Sequence, residues 1–250
     1  MQDSFVNLDI KDTIATVTFF TPHHNALPTA ILNRLVVVLE EVSGDRNINV
    51  VILQSGGDRT FCAGASFNEL IAIEDESQGK DFFMGFARVI LAMRNCPQPV
   101  IVRVQGKTVG GGVGIAAAAD YCLATSYASI KLSELSIGIG PFVIGPAVER
   151  KMGVSAFSQM TLNAQEFYKP EWAKANGLFS EILETTEALD NRVAELVKYL
   201  ASYNPEALKA AKKIFWEGTD NWHDILEARA EKSGKLVLSE FTKEKLQSYK

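Results

Sequence analysis

The sequence predicts an α/β protein, and three observations predict it. Two runs rich in β-branched residues, the continuous apolar run 50–53 and the mostly apolar 100–104, read as strands buried on both faces. Between and after them lie segments whose apolar residues recur at helical spacing. The first twenty residues instead alternate apolar and polar positions, as a half-buried hairpin does. Strands interleaved with helices pack as a sheet covered by helices.

Taken in order, residues 5–10 and 13–20 form an expected β-hairpin around a turn at Lys11 and Asp12. Pro28 is expected to open a helix whose apolar face carries Ile31, Leu35, Val38, Leu39 and Val42, with Gly44 placed to stop it. The buried strand at 50–53 follows, then a helix over 80–93, then the second buried strand after Pro97 and Pro99. From about Gly138 the texture turns helical. Leu189, Val193, Leu196, Val197 and Leu200 make one stripe, and Asn204-Pro205 opens a helix bearing Leu208, Ala211 and Phe215. A third helix follows Asn221. Residues 1–195 read as a sheet-containing core and 196–250 as a helical region.

Composition narrows the function. With 250 residues, 47% of them hydrophobic, the chain can bury a substantial core. The 30 acidic residues outnumber 25 basic ones without any block of like charge, so the basic footprint of a nucleic-acid binder is missing. Cys62, Cys96 and Cys122 form no CxxC, and His23, His24 and His223 no HxxxH, so neither a disulfide framework nor a metal site is expected. The opening residues carry Asp3 and Asp9 and lack a basic region before an apolar one. The weakly polar stretch 109–119 is too short for a membrane span, which needs roughly 20 apolar residues. Cytoplasmic residence without membrane partners is the default expectation.

Three segments carry chemistry. In KTVGGGVGIAAAAD, residues 107–120, consecutive glycines precede a small-residue helix, where exposed N–H groups can hold an anion. The same pattern also fits a tight strand-to-helix turn, and it matches neither GxGxxG nor a P-loop. In TFCAGASFNEL, residues 60–70, a small-residue turn leads into a helix start, with Cys62 also readable as a small buried apolar residue. In IKLSELSIGIGP, residues 130–141, Glu134 stands among apolar residues, where its neutral form is favoured and its pKa rises toward a range useful for proton transfer. Ser133 and Glu134 also fit the start of a short helix.

In this order, FCAGASF, PVIVRVQGKTVGGGVGIAAAAD and ELSIGIGP resemble the patterns of the crotonase superfamily, the enoyl-CoA hydratase/isomerase family; Asn25-Ala26-Leu27 matches its usual N-A-L. The resemblance covers nearly the whole chain. It implies a spiral of repeated β-β-α turns, with a C-terminal helical region that drives trimerisation into a homotrimer or dimer of trimers. The implied substrate is an acyl-coenzyme A thioester, with no metal or redox cofactor. By the same resemblance the N–H groups of Ala65 and Gly111 hold the thioester oxygen as it becomes an enolate, and Glu134 is the acid-base residue. Cys62, Ala63, Gly64, Ser66, Phe67, Gly110, Gly114 and Pro141 are the residues expected to shape the acyl-CoA site.

One departure bears on the reaction. Family hydratases commonly carry a second glutamate in the helix after GGG, and Gly114 stands there instead. The segment after the proline, PFVIGPAVERKMG, is also altered. A single acid suffices for a Δ3,Δ2-enoyl-CoA isomerase, whereas the motif set looks most like bacterial methylglutaconyl-CoA hydratase-like enzymes, so hydration is expected first and isomerisation second. Decarboxylation of a branched acyl-CoA and a non-catalytic acyl-CoA- or RNA-binding homologue stand behind these. Blander roles are expected for Asp120 (structural), Glu74, Asp75 and Glu76 (a solvated run), His23 and His24 (a loop), and for Trp216, Trp222 and His223 (packing in C-terminal helices). Trp222, Leu226 and Leu236 fit an interface or a core equally.

Overall fold

The computed structural model describes residues 3–248, so the outer ends of the two regions read from sequence, residues 1–2 and 249–250, lie outside the described residues. The opening hairpin pairs β1 (Phe5–Lys11) with β2 (Ile14–Phe20), and Asp12 makes the turn with a left-handed φ of 55°. Helix α1 (Thr29–Gly44) buries all five expected apolar residues, together with Leu32. Gly44 ends it without a left-handed glycine cap; Asp45 follows, and its carboxylate accepts the Asn47 N–H at 2.8 Å, forming a local turn.

The chain then repeats a unit: a strand in a large sheet, a short strand in a small sheet, and a helix. The first unit is β3 (Val50–Ser55), β4 (Thr60–Cys62), α2 (Phe67–Ile71) and α3 (Glu76–Asn95). The second is β5 (Val100–Val104), β6 (Lys107–Val109) and α4 (Gly111–Ala117). The third is β7 (Tyr121–Thr125), β8 (Ile130–Lys131), a 3₁₀ turn (Glu134–Ile137) and α5 (Gly145–Leu162). The large sheet orders its six strands β1-β2-β3-β5-β7-β9 and the small one β4-β6-β8; beyond the hairpin every pairing is parallel. Parallel strands covered on both faces favour apolar residues at successive positions, which is why β3 and β5 open on apolar runs; Arg103, the exception within β5, pairs with Asp190 at 2.5 Å. Helix α3 is longer than the periodicity suggested. Asp75 caps it by accepting the Gln78 N–H at 2.8 Å, so the acidic run is a helix start on the surface.

After α6 (Pro170–Ala175) and the edge strand β9 (Glu181–Leu183), α7 (Thr186–Ser202) lays Leu189, Val193 and Val197 onto Val50, Ile52, Ile101 and Leu123 of the large sheet. Residue 195 therefore falls inside a helix that covers the sheet. Asn204 caps α8 (Pro205–Phe215) as expected, accepting from the Glu206 and Ala207 N–H groups. The buried residue of α8 is Lys212, while Phe215 is exposed. Trp216, Trp222 and Leu226 are core residues and Leu236 is half-buried against a smaller cluster. His223, expected to pack, is exposed because it faces away from the core side of α9 (Trp222–Val237). Helix α10 (Glu240–Gln247) closes the described chain, and among the described residues no helix is long and apolar enough to cross a membrane.

The α3 and α9 backbones touch. A Cβ on Gly234 would lie 2.7 Å from the Lys80 N, and one on Gly79 would lie 2.7 Å from the Gly234 Cα. Gly234→Ala is therefore expected to push the helices apart and to destabilise the protein by about 1–3 kcal/mol in urea titration, despite alanine's better helix propensity.

Candidate active site

The turns that follow β4 and β6 meet at one place. Leu27 donates its N–H to the Gly64 carbonyl at 2.8 Å and accepts the Ser66 N–H at 3.0 Å, so the strand-like bridge Leu27–Ala65 fixes the first turn. Asn25 anchors that bridge. Its side chain accepts from the Thr21 N–H and donates to the Gly56 and Thr60 carbonyls, each within 2.9 Å, which accounts for the N-A-L residues structurally. Glu69 of α2 accepts from the Thr29 N–H and hydroxyl, capping α1 from a distance and locking the two helices.

Gly64 has a φ of 95°, and a Cβ there would come within 4.0 Å of the Gly111 N. The two turns thus approach backbone to backbone. Neither the Ala65 N–H nor the Gly111 N–H donates a hydrogen bond among the described residues, and both residues line the same cavity of 390 Å³. The glycines of GGGVG have separate reasons. Gly110 has a φ of 52° and faces Glu134, whose Oε1 is 2.9 Å from where a Cβ would stand. A Cβ on Gly111 would lie 2.3 Å from the Phe86 ring, and one on Gly112 would lie 2.7 Å from the Cys62 Cβ.

Of the residues expected at the site, Ala63, Gly64, Ala65, Phe67, Gly110, Gly111, Glu134 and Pro141 all line the cavity. Three do not. Cys62 is fully buried beneath Gly112, and burial pushes its thiol pKa up to about 12, so it is an inert core residue. Ser66 caps α2 by accepting the Glu69 N–H and faces a neighbouring groove that also holds His23, Ala26 and Phe67. Gly114 points into the core, where a Cβ would meet Ile144 at 2.5 Å and Ile90 at 3.3 Å. A second glutamate at this position would have to displace Ile144.

Sequence reasoning missed the apolar wall. Phe82, Phe83 and Phe86 of α3, with Ile137, Ile139, Phe142, Val143 and Ile144 around the 3₁₀ turn, form most of it, and Ser233 of α9 completes it. The helical spacing of 82, 83 and 86 was readable, but not what that face met. Among the described residues, His23 and Glu134 are the titratable ones of the wall.

Glu134 opens the 3₁₀ turn, which Gly138 ends at a φ of 87°, so both sequence readings hold: it starts a short helix and sits in apolar surroundings. Its Oε2 is buried without a hydrogen-bond partner among the described residues. Burial raises the carboxyl pKa to about 7, against the weaker opposing effect of the N–H groups of Glu134 and Ser133. Asp120, read as structural, is so: it accepts from the Val100 N–H and the Trp216 indole and pairs with Lys212.

The sequence model of a family described as enoyl-CoA hydratase/isomerase matches residues 9–250. A short-chain-enoyl-CoA hydratase of Clostridium acetobutylicum is 29% identical over 220 residues, 87% of this chain and 83% of that protein. A mitochondrial methylglutaconyl-CoA hydratase of Mus musculus is 28% identical over 200 residues, 78% of this chain but only 63% of the mouse protein. Among solved structures, an enoyl-CoA hydratase from Bacillus halodurans superposes with a TM-score of 0.90 at 21% identity, covering 98% of this chain and 100% of that one, a likeness of fold.

Proposed function

Because the chain belongs to the enoyl-CoA hydratase/isomerase family of the crotonase superfamily, we propose that it catalyses reversible addition of water across the C2=C3 bond of a 2-enoyl-CoA, with Glu134 as its single acid-base group. The observation that carries this reading is one buried carboxyl, held near neutrality, on the wall of the apolar cavity that also receives the free N–H groups of Ala65 and Gly111. The thioester oxygen accepts from those two N–H groups. Glu134 as carboxylate takes a proton from water while the oxygen of that water bonds to C3. The electron pair of the double bond moves to the thioester oxygen, giving an enolate, and Glu134 returns the proton to C2. Fixed donors aimed at an oxygen that gains charge only during reaction stabilise the transition state more than the substrate; one such donor contributes about 2.7–4 kcal/mol.

The protonation state sets the pH dependence. Glu134 must be ionised to accept the proton, so kcat/KM is expected to rise about tenfold per pH unit below about 7 and to level off above it. A profile flat between pH 5.5 and 8 would remove Glu134 from the rate-determining chemistry.

A second reading, isomerisation of a 3-enoyl-CoA to the conjugated 2-enoyl-CoA, is favoured by the filled space at Gly114, which leaves one carboxylate on the wall. One carboxylate can remove a proton from C2 and return it to C4 without any water. Side-by-side incubation with 2-enoyl and 3-enoyl thioesters decides: loss of conjugation from the 2-enoyl substrate supports hydration. Gain of conjugation from the 3-enoyl substrate alone, with the 2-enoyl one untouched, overturns it.

A further inference from the structure

The far part of the cavity holds one polar side chain that the proposed chemistry does not use. Ser233 is fully buried, belongs to the cavity wall, and its hydroxyl has no hydrogen-bond partner among the described residues. A serine inside a helix ordinarily turns its hydroxyl to the carbonyl four residues back or to water, and a buried polar group left without a partner calls for a reason. Phe82, Phe83 and Ile139 line the same cavity.

Its distance from the reacting end follows from α3. Ser233 stands beside the contact of Gly234 with Gly79, whereas Phe86 of the same helix packs against Gly111. Seven residues of helix, from 79 to 86, rise about 10 Å. An extended chain advances about 1.2 Å per bond, so an acyl chain of roughly eight bonds spans the stretch of α3 between these two contacts.

Resting on the acyl-CoA reading above, we propose that Ser233 is a specificity residue that recognises an uncharged oxygen, a hydroxyl or a carbonyl, near the end of a medium-length acyl chain. The hydroxyl can donate to or accept from such an oxygen while the phenylalanines cover the methylenes. A terminal carboxylate fits less well, because no lysine or arginine is on the cavity wall among the described residues. Of the cations on α9, Lys232 lies over the Phe142 ring at 5.3 Å from its centroid and Arg229, one turn before Ser233, donates to the Phe142 carbonyl at 3.3 Å.

Saturated thioesters test this independently of turnover. Calorimetric titration of the intact protein with octanoyl-CoA, 8-hydroxyoctanoyl-CoA and the corresponding 8-carboxylate should show the hydroxy compound binding about five- to tenfold more tightly than octanoyl-CoA, as one neutral hydrogen bond allows. The carboxylate should be the weakest. Ser233→Ala should bring the hydroxy-to-alkyl ratio to about one. A wild-type ratio of one or less, a preference that survives Ser233→Ala, or tightest binding of the carboxylate overturns the proposal; the wild-type ratios decide even if the variant misfolds. Binding with the expected ratios but no turnover of the 2-enoyl counterparts overturns the reaction and leaves the specificity residue standing. No binding of any thioester overturns both.

Discussion

Glu134→Gln is expected to lower kcat for hydration about 10²- to 10⁴-fold, the usual contribution of a positioned acid-base group, with KM little changed. The amide preserves the shape of the side chain beside Gly110 but cannot take the proton of water. The same substitution is expected to stabilise the protein at high pH. The folded-state pKa of Glu134, about 7, lies above its ordinary 4.5, so the folded chain holds this proton more tightly than the unfolded one. Below 4.5 both states are protonated and nothing is lost. As pH rises from 4.5 to 7 the unfolded chain ionises first and stability falls; above 7 the full cost of burying a carboxylate is present. At 1.36 kcal/mol per pH unit of pKa difference, that cost is roughly 3 kcal/mol, and glutamine removes up to that much. Urea titrations at pH 5 and pH 8 should show a much larger advantage of the variant at the higher pH. Retention of more than a tenth of the activity would exclude Glu134 as the acid-base residue. A stability difference independent of pH would exclude burial of its carboxylate as the source of the raised pKa.

Lys212→Ala is expected to be the most damaging change remote from the cavity, destabilising by about 3–5 kcal/mol, as loss of one partner from a buried ion pair does. The Lys212 ammonium reaches the Asp120 carboxylate at 2.9 Å and donates to the Met93 and Gln98 carbonyls at 2.8 and 2.9 Å, with both charged side chains at most 4% exposed. Asp120 also accepts the Val100 N–H and the Trp216 indole. One pair therefore ties α8, the end of α3, the start of β5 and the residue preceding β7. Removing the lysine leaves a carboxylate and two carbonyls buried with fewer partners. A total stability of about 5–15 kcal/mol makes such a loss severe. Lys209→Ala, which breaks an exposed pair with Glu206 three residues away, is the control and should shift stability by less than about 1 kcal/mol. Equal effects of the two substitutions in urea titration would refute the central role of the buried pair.

Elements whose cause is local or periodic are legible in the order of the residues. The apolar runs in β3 and β5 announced a covered parallel sheet, and Asn204-Pro205 announced the cap of α8, because each signal lies within a few residues of its effect. Family motifs likewise carried Ala65, Gly111 and Glu134 to one site. Local signals did not reveal that Asp75 lengthens α3, since the acidic run around it also fits a solvated surface. Tertiary structure alone decided what each small residue was for. Gly112 and Gly114 yield space to Cys62 and Ile144, residues distant in sequence, so Gly114 and Cys62 belong to the core beneath the cavity. The buried role of Lys212 depends on Asp120, 92 positions away, and no helical pattern marks a charge for burial. The phenylalanines of α3 and Ser233 of α9 become one wall only where Gly79 and Gly234 let two helices touch. A backbone contact between helices distant in the chain leaves no periodic trace, so the apolar cavity and its one buried hydroxyl emerge only from the packed fold.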